Sequence, residues 1–140
     1  MKKKKILLVI AIVGLIAAYF VWDNFLKTAP SMKRLDADYQ IEATQLYSAY
    51  DANEETANLK YLNKIIEVTG VVSNIETPEN SLPVVSLKTN GFGVVKCTME
   101  APLNDNELKL IRLDTPITFR AECIGSLLDV MLIRAIILEQ

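Results

Sequence analysis

Beyond residue 63 the chain holds several runs in which apolar residues recur at every second position, and no other feature limits its possible folds so tightly. A period of two is the signature of strands with one buried face. Five such runs are predicted: Ile65 to Ile75, Leu82 to Thr89, Phe92 to Met99, Thr115 to Ile124 and Leu128 to Leu138. Asn90 and Gly91 separate the second run from the third, and an Asn-Gly pair predicts a tight hairpin there. Between the third and fourth runs lies APLNDNELKLIRLD, where Asn104 or Asp105 can cap one short helix carrying Leu108 and Ile111. Three strands, a helix and two strands is the chain order of the five-stranded OB-fold barrel, so the expected class is mainly β.

Two breaks in the alternation favour a closed barrel over a flat sheet. Ile66, Val68, Gly70 and Val72 share one face, yet the next apolar residue of that set, Ile75, is three positions on. Val130 and Leu132 are likewise followed by Ala135 and Ile137 with one interval of three. An extra residue at such points is what a β-bulge inserts, and bulges bend strands toward closure. Gly70 then reads as the closure glycine, removing a side chain where the first strand coils hardest. The expected interior comprises Ile66, Val68, Val72, Val85, Leu87, Val95, Ile117, Phe119, Val130 and Leu132.

Upstream, residues 43–62 carry Leu46, Tyr47, Tyr50, Ala57 and Tyr61 at helical intervals that slip near Ala52 and Asn53. Two short helices are expected, the second capped by Asp51 or Asn53, with Glu54 and Glu55 against its positive end. The acidic DANEE cluster lacks the glycine and ligand spacing of a calcium loop, which leaves capping as its role. With LYSAYDANEETANLKYLNKIIEVTGVVSNIE, VVKCTM, AECIG and DVMLIRAIIL in view, residues 38–138 resemble the bacterial tRNA_anti-like family of small exported OB-fold proteins. That resemblance implies the fold; the family name by itself assigns no tRNA substrate.

At the other end, Lys2, Lys3, Lys4 and Lys5 precede Ile6 to Trp22, a run without charge. Seventeen helical residues span roughly 25 Å, close to a hydrocarbon core of about 30 Å once Phe25 and Leu26 extend them. The expectation is a signal anchor over residues 6–26, with residues 1–5 held in the cytoplasm by their charge. Lys2 to Lys5 would meet the inner membrane interface, and Tyr19 and Trp22 the outer one. A cleaved signal peptide is the competing reading, without a convincing small-x-small cleavage pattern to support it. Residues 27–37 then form a linker, and residues 38–140 an extracytoplasmic domain, periplasmic in a cell with two membranes. From residue 31 onward there are ten Lys and Arg against sixteen Asp and Glu, a net of −6.

Chemistry is limited by what the chain lacks. There is no histidine, which removes every Ser-His or Cys-His nucleophile pair and every histidine-ligated metal. No glycine-rich phosphate loop is present, and no cofactor and no catalysis are expected. Cys97 and Cys123 both fall on inward parity. A bridge enclosing the 25 residues between them would stabilise by about 3 kcal/mol, but it would have to cross the barrel between strands that are not expected neighbours. Bridge and buried free thiols both stay open. OB barrels commonly bind ligands on the outer face of their second and third strands, which offers Ser86, Lys88, Phe92, Val94 and Lys96. Those residues are either a binding face or a solvated strand surface. Expected partners are the membrane and an envelope protein, peptide or oligosaccharide; nucleic acid is the alternative, opposed by the acidic balance.

Overall fold

The computed structural model describes residues 2–25 and 29–138, and divides the chain into two compact units, Met1–Pro30 and Ser31–Gln140. In the first unit, α1 runs over Lys2–Phe25. Lys4, Tyr19 and Trp22 are exposed on it, whereas the side chains of Lys2, Lys3, Lys5, Leu7 and Leu8 lie outside the described residues. Among the described residues no helix is long and apolar enough to cross a membrane, so the transmembrane helix expected over residues 6–26 is not part of the fold established here.

The second unit holds a six-stranded sheet, β1 (Tyr39–Glu42), β2 (Ile65–Glu76), β3 (Val84–Leu87), β4 (Val95–Met99), β5 (Pro116–Ser126) and β6 (Val130–Ile137). Strands β2 to β6 close on themselves in the order β2-β3-β4-β6-β5, with β5 pairing back to β2 and β4 running parallel to β6. That is the five-stranded barrel expected from the alternation. All ten interior residues named from parity are buried there, from Ile66 at 0% exposure to Ile117 at 6%. The agreement follows from the exact two-residue period of a strand, which fixes a face once the register is set.

Both expected bulges are present. The β2–β3 register shifts between Val72 and Asn74, and the β4–β6 register shifts between Cys97 and Met99, opposite Leu132 and Ala135. Arg134 sits in this second bulge with a φ of 56°, the left-handed region that an extra residue often occupies. Gly70 marks the place where β2 changes neighbours. Residues up to Thr69 pair with β1 and residues up to Val71 with β5, and from Val72 onward the strand pairs with β3. A Cβ on Gly70 would lie 2.8 Å from Ala43 Cβ and 3.1 Å from Leu87 Cβ, so the missing side chain also admits the start of a helix.

That helix is α2 (Ala43–Ala52), followed by α3 (Glu54–Tyr61). Of the two candidate caps, Asn53 is the one used, its side chain accepting from Thr56 N–H at 2.8 Å. Leu46, Tyr47, Tyr50, Ala57 and Tyr61 turn inward and close one end of the barrel. The short α4 (Asp105–Leu110) is capped by Asn104 in a reciprocal box with Glu107, and Ile111 just beyond it is buried.

Two features depart from the sequence reading. Within the stretch expected to be a plain surface linker, Met32 is fully buried, its N–H donates to Glu100 at 2.9 Å, and Leu35 C=O accepts from Arg120. The segment then enters β1, an unexpected strand that runs parallel to β2 with Tyr39 opposite Ile66. The Asn-Gly pair makes no two-residue hairpin either, because β3 ends at Leu87 and β4 begins at Val95. Gly91 and Gly93 are there for close approach. A Cβ on Gly91 would fall 2.2 Å from Tyr47 Cε1, and one on Gly93 2.5 Å from the Leu128 carbonyl oxygen.

Candidate outer face and loop tips

The outer face of β3 and β4, with the loops at its edge, is where a ligand of this barrel would sit. Ser86 lies opposite Lys96 in the β3–β4 ladder and is buried at 4% exposure, too enclosed to meet a ligand. Lys88 is committed to an ion pair with Asp114. Lys96 contacts Asp129 at 2.9 Å, and the same carboxylate accepts from Val94 N–H at 2.9 Å. Both lysines of the face are thereby neutralised by neighbours. The hydrogen bond with Asp129 raises the Lys96 pKa, with the charge attraction adding to it. For Asp129, burial pushes its pKa up, but the hydrogen bonds from Lys96 and Val94 N–H outweigh it and hold the carboxyl below its ordinary value.

Beyond the ion pairs, the surface becomes apolar. Phe92 is fully exposed, and Leu127 and Leu128 are 93% and 76% exposed. Burying side chains of this size would yield about 1.5 to 3 kcal/mol each. The two loops that carry them are joined where Gly93 approaches the Leu128 carbonyl. Tyr47 braces the same point, its hydroxyl accepting from Gly93 N–H at 3.1 Å, while Ser48 bonds Asn90 at 3.3 Å. Thr89 Oγ1 accepts from Gly91 N–H at 3.3 Å and donates to the Gly93 carbonyl. A braced loop with an exposed ring at its tip is suited to apolar contact without a large ordering cost. Phe92 and Val94 thus belong to the candidate surface, Lys88 and Lys96 line it as paired charges, and Ser86 drops out. Leu127 and Leu128 were invisible as site residues in the sequence, because the fifth strand was expected to begin at Leu128.

Other chemistry finds little support. Among the described residues no three Cys, Asp or Glu side chains are grouped to hold a metal ion. Cys97 and Cys123 are free and buried, and no bridge joins them. Both lie opposite Leu132, with β6 between their strands. Two strand spacings place their Cα atoms roughly 9 to 10 Å apart, past the limit of about 7 Å for a disulfide. Burial alone pushes the Cys97 thiol far above its ordinary pKa, the opposite of an activated thiolate. Tyr50 stands 3.4 Å from Cys123 Sγ, and burial followed by that contact raises the phenol as well. These groups are core.

Polar side chains away from the loops are engaged in holding the fold. Glu67 receives Arg120 through two nitrogens, at 3.1 and 2.7 Å, and Gln40 at 2.7 Å. Arg134 contacts Glu122 at 3.4 Å and Glu100 at 3.6 Å. This network ties β1, β2, β5 and β6 to the segment before β1.

Comparison with known proteins agrees with this architecture. No curated protein matches the chain. A lipoprotein of Klebsiella pneumoniae subsp. pneumoniae, to which nucleic-acid binding has been ascribed, superposes with a TM-score of 0.57 at 14% identity, covering 72% of this chain and 92% of its own. At that identity the likeness speaks for the fold alone. The family described as tRNA_anti-like matches residues 1–137, and this chain therefore belongs to the tRNA_anti-like family.

Proposed function

We propose that this protein is a membrane-tethered, non-catalytic OB-fold module that binds an envelope protein, peptide or oligosaccharide outside the cytoplasm through Phe92, Val94, Leu127 and Leu128. The observation that carries this reading is the pairing of apolar loop tips with a face whose two lysines are already neutralised. A polyanion is bound tightly when free cationic side chains neutralise its phosphates and release its condensed counterions, whereas Lys88 and Lys96 are already paired. The net of −6 from residue 31 onward works in the same direction.

Tethering is supported by the sequence. Four lysines precede seventeen uncharged residues, and the 24-residue α1 is about 36 Å long. Leu7 and Leu8 belong to that run yet fall outside the described side chains, and the described residues by themselves carry no helix that meets the length and hydropathy of a span. The placement inside the cell envelope, with the amino end in the cytoplasm, follows from the lysines.

A second reading, nucleic-acid binding, is favoured by the fold family and by what is ascribed to the Klebsiella protein. A photocrosslinker at position 92, with one at the exposed Glu79 as control, separates the two in intact membranes. A discrete, protease-sensitive adduct at 92 that is weakened by Leu128→Glu supports the first reading. A nuclease-sensitive adduct, or equal labelling at both positions, overturns it.

A further inference from the structure

Apolar side chains are exposed a second time around α4. Leu108 and Leu110 are each 48% exposed and Leu113 is 57% exposed, while Ile111 between them is buried and fixes the segment to the barrel. The sequence here is LKLIRL, so exposed Lys109 and Arg112 alternate with the leucines. In a unit carrying a net of −6, a cationic and apolar strip of this kind is out of character. Of the nearby acids, Glu107 is held in the capping box and Asp114 in the ion pair with Lys88, which leaves Asp105.

Charge indicates what covers this strip: its cations stand on an otherwise acidic unit and match an anionic surface. Ser31, Lys33, Leu103 and Glu107 line one cleft, and Ser31 Oγ donates to Glu100 at 2.8 Å, so the unit begins beside α4. Lys33 and Arg34, also exposed, add two cations at the junction.

We infer that Leu108, Leu110 and Leu113, with Lys109 and Arg112, dock on the headgroup layer of an anionic bilayer. Leucines enter the interfacial region while the cations meet lipid phosphates, the combination that defines interfacial binding. The inference rests on the tethering proposed above.

The test uses the full-length chain in vesicles of phosphatidylcholine, alone or mixed with phosphatidylglycerol. An environment-sensitive fluorophore is attached at Leu110→Cys or, as control, at Phe92→Cys, the native thiols being buried. Docking requires a blue-shifted emission at 110, quenched by a headgroup nitroxide, stronger with phosphatidylglycerol and lost in Lys109→Glu/Arg112→Glu; position 92 stays water-like. Emission at 110 that matches 92 in both vesicle types overturns the inference, as does a blue shift that appears only when a second protein is added. Carbonate extraction of the same vesicles distinguishes the two failures. A chain that resists extraction while 110 remains wet sinks only the docking; a chain that is extracted sinks the tethering, and the docking with it.

Discussion

Single positions carry the most legible and the least legible parts of this structure. The ten interior side chains follow from parity alone, because a strand offers only two faces. Glycines resist such reading. Gly70 was assigned to closure, and its environment adds a second demand, the approach of Ala43. Gly91 looked like a hairpin residue but instead makes room for Tyr47, a partner 44 positions away that no local pattern announces. Gly93→Ala is expected to destabilise the barrel by about 1 to 3 kcal/mol, the usual cost of overpacking, since its Cβ would meet a backbone carbonyl that cannot swing aside. Gly70→Ala should cost somewhat less, with a methyl group and a flexible leucine opposite. Denaturant midpoints of the two variants check both the sign and the order. Asp129 makes a pH prediction: its carboxyl is held below its ordinary value when folded, so its contribution is complete above the unfolded pKa and fades as pH falls through the folded one. Lys96→Met removes the main cause. The stability gap between wild type and Lys96→Met should therefore close as pH falls below about 4, and a gap that widens in acid would contradict the assignment.

At the level of elements, strands long enough to show alternation were found with their bulges, and two short helices with the right cap. What escaped was the strap before them. Met32 stands alone among polar and charged neighbours, and β1 has only four residues, too few to establish a period. Its place is set by tertiary partners: Asp38 accepts from Ile65 N–H at 3.0 Å, and Leu35 C=O from Arg120 at 2.8 Å. Met32→Ala should then cost about 2 to 5 kcal/mol, as for other fully enclosed side chains. A domain starting at Asp38, the boundary suggested by the sequence, should unfold at lower denaturant than one starting at Ser31. Equal midpoints would mean that the strap only lies on the surface.

For the whole molecule, fold and family agree, but a barrel of this kind does not name its ligand. Residue chemistry has to do so. Here the face used by many OB barrels has its lysines closed by Asp114 and Asp129, and its edge presents Phe92, Leu127 and Leu128. Half of this was readable beforehand: the acidic balance is a count, and Phe92 lay on the named face. The ion pairs were not, because Asp114 and Asp129 reach the face from other loops. Fluorescence anisotropy of a labelled single-stranded oligonucleotide, titrated with the full-length protein over a range of salt, tests most directly whether this barrel has given up polyanions. The expected result is no saturable rise even at low salt. A saturable rise with a steep inverse dependence on salt, reduced by Lys88→Ala and Lys96→Ala, would show that the face tracks phosphates after all.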